Sequence, residues 1–170
     1  TARDSNVLIV KSKPLEQIGK ISLSNNIYIE KLFMYKNLLI VQYVDYLNAT
    51  EKSTVQIYNV EDPNKAEVLH TFAQEGYTMD SRISEDQLYL LSSYYVLEEN
   101  ETVPTTSTNG DDSLIETKDI YIYPYTMSEE YTVISKMNLS NFSVETKAFL
   151  GAGGNLYMSE NAIYIAAVQW

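Results

Sequence analysis

The chain has 170 residues, 45% of them hydrophobic, and a formal net charge of −11. It is long and apolar enough for a packed domain. Its acidity excludes nucleic acid and argues against anionic membrane surfaces, because both need clustered Lys and Arg.

With no Cys there is no disulfide framework and no thiolate metal site. No stretch approaches the ~20 apolar residues of a membrane span, so no membrane insertion is expected. The opening "TARDSN" has no apolar segment behind it and is not a signal peptide. Fifteen Tyr against four Phe and one Trp suit strands whose rings pack while their hydroxyls reach water.

In chain order, the first stretch runs from Asn6. A β-branched strand, Val7–Val10, meets a turn at Pro14. The strand Ile18–Leu23 follows, then a short strand, the polar turn "YKN" and the apolar "LLIVQYV" from Leu38. The second stretch, from Thr54, has the same parts: Val55–Tyr58, the turn Asp62-Pro63-Asn64, Val68–Phe72, the turn "SEDQ" and "LYLLSSYY" from Leu88. In "NKAEVLHTFAQEG" Ala66, Leu69 and Ala73 have a helical spacing, but the repeat-equivalent segments read as strands, and so does this one.

Residues 97–118, "LEENETVPTTSTNGDDSLIETK", are polar, Thr-rich and Gly/Pro-bearing, and read as an inserted loop. "DIYIYPYTMSEEY" leads back to the pattern, with Pro124 interrupting a strand. The third stretch, from Thr132, repeats the parts: Val133–Lys136, a turn at Ser140-Asn141, Val144–Leu150, "SENA" and "IYIAAV" from Ile163.

A four-stranded unit recurring every ~40–50 residues is the pattern of a β-propeller. Leu88, Leu90 and Tyr94 share one parity and Tyr89, Leu91 and Tyr95 the other. Strand side chains alternate faces, so both faces must be covered, as in a blade between two others. The rival arrangement is a β-sandwich, which would alternate apolar and polar more cleanly.

The segments "GYTMDSRISEDQLYLLSSYY", "DIYIYPY" and "YTVISKMNLSNFSVETKAFLGAGGNLYMSENAIYIA" resemble a secreted bacterial β-propeller domain family distantly related to WD-repeats. The resemblance runs from about Asn6 to Ala167. Tyr58-Asn59 stands where a WD-repeat has Trp-Asp, so the WD hydrogen-bond tetrad is not expected. WD-like strand order would give C-D over about 6–24, A-B-C-D over about 27–73, A-B-insert-C-D over about 76–150, and A-B over about 154–168. That is a partial propeller whose remaining blades, or a second copy, would cover its open faces. The resemblance implies a secreted or cell-surface protein and supplies no catalytic motif to transfer.

Several side chains are candidates for a site. Asp80 and Arg82 share a strand face and are candidate ligand-binding residues. Tyr121, Tyr123 and Tyr125 could stack on sugars, and the first two are carried as candidates. Asp111, Asp112 and Glu116 are candidate Ca²⁺ ligands, since hard cations take carboxylate oxygens, although their spacing is not that of an EF-hand. No other cofactor is implied. His70, the only His, aligns with Lys20 and Lys147 and is expected on the surface. "GAGGN", Gly151 to Asn155, lacks the ending of a phosphate loop and reads as a crossover.

The functional expectation is a non-catalytic scaffold binding a protein or polysaccharide at the cell surface. The alternative is a carbohydrate-active enzyme using loop carboxylates such as Asp111 or Asp119.

Overall fold

The structure is a computed structural model. It describes residues 4–45, 51–96, 103–124, 128–152, 155–159 and 161–166. Among these residues the regular structure is almost all strand, with two single-turn 3₁₀ helices, Pro63–Lys65 and Thr117–Asp119. The chain divides into two compact units: Thr1–Ala73 with Thr108–Gly110, and Gln74–Ser107 with Asp111–Trp170.

In the first unit, β1 (Asp4–Ser12) and β2 (Leu15–Asn25) form an antiparallel hairpin. Strands β3 (Ile27–Tyr35), β4 (Leu38–Asp45), β5 (Lys52–Asn59) and β6 (Glu67–Glu75) follow as a meander. A two-residue turn joins β3 to β4, and Lys36 there has φ 54°, the left-handed geometry that suits a tight hairpin. Val7, Ile21 and Leu23 of the hairpin pack with Leu39, Val41 and Tyr58 of the meander in one core. The turn after β5 is capped by Asp62, whose carboxylate accepts the Asn64 N–H at 3.1 Å. Pro63 then presses its carbonyl toward Gly19, where a Cβ would lie 2.1 Å from that oxygen. Glycine is required there by space.

In the second unit, β7 (Tyr77–Ser84), β8 (Gln87–Tyr95), β12 (Glu130–Asn138) and β13 (Val144–Leu150) make a second antiparallel meander. The hairpin of β14 (Leu156–Met158) and β15 (Ile163–Ile165) stands as a separate two-stranded sheet. Tyr94, Tyr131, Val133 and Ala148 form a core with Ile115. The segment leading into β7 is tied down by buried hydrogen bonds. Gln74 Nε2 donates to Ser92 Oγ at 2.8 Å and to the Val133 carbonyl at 3.1 Å, and Ser92 Oγ donates to the Glu75 carbonyl at 2.7 Å. Gly76, at φ 99°, follows directly, and a Cβ there would sit 2.3 Å from the Ser93 oxygen.

The all-β reading stands, but the sheets are not clean four-stranded blades and none closes into a barrel. Their sizes are two, six, five and two. The two strands added to the first sheet come from the segment read as a loop, residues 97–118, and the one added to the second comes from the stretch just after it. Within residues 97–118, β9 (Thr105–Thr108) and β10 (Asp111–Leu114) turn at Asn109-Gly110, with φ 52° and 96°. This hairpin extends the first meander, giving the order β10-β9-β6-β5-β4-β3. β11 (Ile120–Ile122) joins the second as an edge strand, parallel to β13. Both additions have one cause: an outermost strand offers unpaired N–H and C=O groups to any nearby extended segment. Pro124 lies just beyond β11, where its missing N–H costs no ladder bond.

The same hairpin corrects the expectation for His70, which is buried. Asn109 at the hairpin tip bonds β6 both ways, donating its N–H to the Thr71 carbonyl at 2.8 Å and accepting the Thr71 N–H at 2.9 Å. That places Asn109 Nδ2 3.4 Å from His70 Nδ1. Lys20 is exposed and Lys147 half-buried, so the repeat misleads at this position.

Both faces of β4 are buried: Ile40 and Val41, adjacent and pointing oppositely, are each 0% exposed. β8 repeats this with Leu90 and Leu91. Leu88→Ala should therefore cost about 2–5 kcal/mol in urea unfolding. Leu15→Ala, at a side chain 84% exposed, should stay within about 0.5 kcal/mol.

Burial pushes the His70 pKa below its ordinary value of 6.5. The unfolded chain then binds a proton that the folded chain resists, so His70 costs nothing above that value and destabilises as pH falls below it. Urea midpoints at pH 7.5 and 5.5 should fall further apart in the native chain than in His70→Gln.

Candidate functional site

The register of the second unit's large sheet decides which side chains share a face. Across β12 and β13 the pairs Ile134↔Lys147 and Lys136↔Glu145 alternate with the core pairs Val133↔Ala148 and Met137↔Val144. Parallel pairing of β11 sets Tyr121 beside Phe149. One face thus carries Tyr89, Ile134, Lys136, Lys147, Phe149 and Tyr121, while the other enters the core.

On that face the Tyr121 and Phe149 rings stack, with centroids 5.2 Å apart and planes 16° from parallel. Lys147 Nζ reaches the Asp119 carboxylate at 2.6 Å and Glu145 at 3.8 Å, and lies 6.0 Å from the centre of the Tyr121 ring. Its pKa is raised, first by the hydrogen bond to Asp119, so it stays an ammonium at neutral pH. Lys136 lies 3.2 Å from the other oxygen of Glu145. A row of alternating charges therefore edges an aromatic ledge. Beside it lies a groove of about 420 Å³ between the sheet and the β14–β15 hairpin, with Tyr89, Ile134 and Phe149 on one wall and Met158 and Ile163 on the other.

Arg82 tethers one wall of this groove. Its Nη1 donates to the Met158 carbonyl at 2.7 Å, holding the hairpin to the sheet. Asp80 is exposed, and its carboxylate accepts the Ser81 N–H at 2.8 Å. Both lie on β7, at the opposite edge of the five-stranded sheet from Tyr121. Four strand spacings, about 19 Å, separate them, so the structure does not bring the Asp80–Arg82 and Tyr121–Tyr123 candidates together. Tyr123 follows β11, its N–H bonded to the Leu150 carbonyl at 2.9 Å and its side chain exposed. Tyr125 lies outside the described residues, as do Gly153 and Gly154 of the Gly-rich crossover.

The calcium candidates lie on β10 and just after it. Asp111 and Asp112 are exposed on β10, and the exposed Glu116 places its carboxylate 2.6 Å from Lys118. Among the described residues no three His, Asp or Glu side chains are grouped to hold a metal ion. No described helix is long and apolar enough to cross a membrane.

Lys147, Phe149 and Asp119 are the parts of the face that sequence reading missed as a unit. The alternation of Lys147 and Phe149 was available, but their neighbour β11 comes from far earlier in the chain and pairs in parallel. A second groove, about 360 Å³, lies in the first unit beside Leu23, Tyr43, Gln56 and Tyr58. There Tyr58 donates to Gln56 Oε1 at 2.6 Å, and burial, then Tyr43, pushes its pKa up to about 12. It is a fixed donor with no acid–base role near neutrality.

The all-β sheets are consistent with a propeller-type fold, and the sequence comparison gives the family. The chain belongs to the beta propeller domain family, whose profile matches residues 1–170. Comparison with curated proteins finds no match. Comparison with solved structures finds none either.

The ledge depends on the Asp119–Lys147 contact, because β11 holds only three residues against β13. Asp119→Asn should speed amide hydrogen exchange in Ile120–Ile122 while leaving β8 and β12 as protected as before.

Proposed function

We propose that this chain is a non-catalytic binding scaffold of a secreted or cell-surface protein, and that the groove beside Tyr121 and Phe149 holds a segment of polysaccharide. The observation that carries the reading is the ledge itself. A stacked aromatic pair offers a flat apolar surface suited to the C–H face of a sugar ring. Lys147 and Lys136 stand beside it as donors for hydroxyl or carboxylate groups. The groove volume lies in the range of ligand clefts, and propeller-family membership fits a scaffold role. The extracellular setting and the bacterial, WD-repeat-related origin rest on the resemblance carried by "GYTMDSRISEDQLYLLSSYY" and "GGNLYMSENAIYIA".

The test is a polysaccharide and glycan array probed with the native chain, Tyr121→Ala, Lys147→Ala and a control, Tyr28→Ala, in the first unit. Binding by the native chain should weaken about tenfold or more in the first two variants, a change of about 1.4 kcal/mol. It should hold in the control. Turnover of a glycan that Asp119→Asn or Asp111→Asn abolishes would establish the enzyme instead. Binding to a protein ligand alone would replace polysaccharide as the partner.

A further inference from the structure

We infer, on the polysaccharide reading of the groove given above, that the polymer it takes is electrically neutral, held through adjacent free hydroxyls by the ion pairs along the ledge, and that charged glycans are turned away. Among the described residues that line the groove, the charged ones are Lys136 and Lys147. Both are already engaged. Lys147 Nζ holds the Asp119 carboxylate at 2.6 Å and the Glu145 carboxylate at 3.8 Å, and Lys136 Nζ holds the other oxygen of Glu145 at 3.2 Å. Two ammonium groups thus face two carboxylates, and the row carries no net charge.

That balance decides what can gain by binding there. A ligand carboxylate, sulfate or phosphate brought to either lysine also meets the carboxylate already in place. Attraction and repulsion at similar distances cancel, and the ligand gives up hydration without return. A ligand ammonium fails in the same way against Asp119 or Glu145. A hydroxyl does not compete with either partner, because it both donates and accepts. An ammonium has more N–H groups than one bond uses, and a carboxylate more lone pairs. One sugar hydroxyl can therefore accept from Lys147 while its neighbour donates to Asp119. The 2.6 Å between Nζ and the Asp119 oxygen is close to the spacing of two adjacent ring hydroxyls.

The apolar part of the ledge is placed to match. Lys147 Nζ lies 6.0 Å from the centre of the Tyr121 ring. That distance suits a sugar ring lying on Tyr121 with a hydroxyl on its rim about 2.8 Å from the ammonium. The pair beside Tyr121 is also the more sheltered one. The Lys147 and Asp119 side chains are 33% and 23% exposed, against 45% and 59% for Lys136 and Glu145. Hydrogen bonds to a ligand are least diluted by water at that pair.

The test measures equilibrium binding of the chain to immobilised polymers. Mixed-linkage glucan, galactomannan and dextran are the neutral probes, polygalacturonate and dextran sulfate the acidic ones, and chitosan the basic one. The native chain should bind a neutral polymer and lose about tenfold or more in affinity with Tyr121→Ala. That affinity should change less than about twofold between roughly 50 and 500 mM NaCl, because a neutral ligand releases no counterions. Glu145→Gln, at an exposed side chain, leaves two ammonium groups against one carboxylate. It should gain polygalacturonate about tenfold, and lose that gain in high salt. Lys136→Gln combined with Glu145→Gln restores the balance and should abolish the gain. Tyr121-dependent, salt-sensitive binding of the native chain to an acidic or basic polymer overturns the neutral assignment and leaves the polysaccharide reading standing. So does a folded Glu145→Gln chain that gains nothing. Absence of Tyr121-dependent binding to every polymer removes the polysaccharide reading, and the neutral assignment with it.

Discussion

Covering both faces of β4 and β8 is the constraint that the architecture answers. A strand with Ile40 and Val41 both at zero exposure cannot lie in a sheet with one wet face. Each such side chain fully buried contributes about 1.5–3 kcal/mol, and the gain exists only while material lies on both sides. In the first unit the β1–β2 hairpin supplies that material for one face, through Val7, Ile21 and Leu23. In the second, Ile115 packs onto one face of the β8–β12–β13 sheet, and the β14–β15 hairpin stands over the other, fastened by Arg82.

Among the described residues the hairpin faces Tyr89, Ile134 and Phe149 across the groove, while Tyr121, at the edge of the sheet, is exposed. The charges along the ledge pair with one another. Arg82 fixes one wall of the groove through its bond to the Met158 carbonyl.

Much of this was legible in the sequence. The β-branched runs, the polar two-residue turns at Lys36-Asn37 and Glu85-Asp86, and the double-faced apolar strands are local signals, and they mark the meanders correctly. The Asn109-Gly110 pair was a local signal too. It is a strong short hairpin cue, and its Thr-rich surroundings masked it as a loop. Other features had no local signal. The burial of His70 depends on that hairpin docking along β6. The Tyr121–Phe149 stack depends on a three-residue parallel pairing between segments far apart in the chain. Parity along one strand says which residues share its face, but not which distant strand lies alongside.

The parallel placement of β11 also fixes an order of events in synthesis. Ile120–Ile122 leaves the ribosome before Val144–Leu150 exists, so its pairing partner arrives only after β12 has been made and the chain has doubled back. Until then the tripeptide has no ladder to join, since non-local pairings must wait for loop closure. The aromatic ledge thus assembles only after Val144–Leu150 has been made, and a polypeptide arrested before Val144 would carry Tyr121 without Phe149 to stack against.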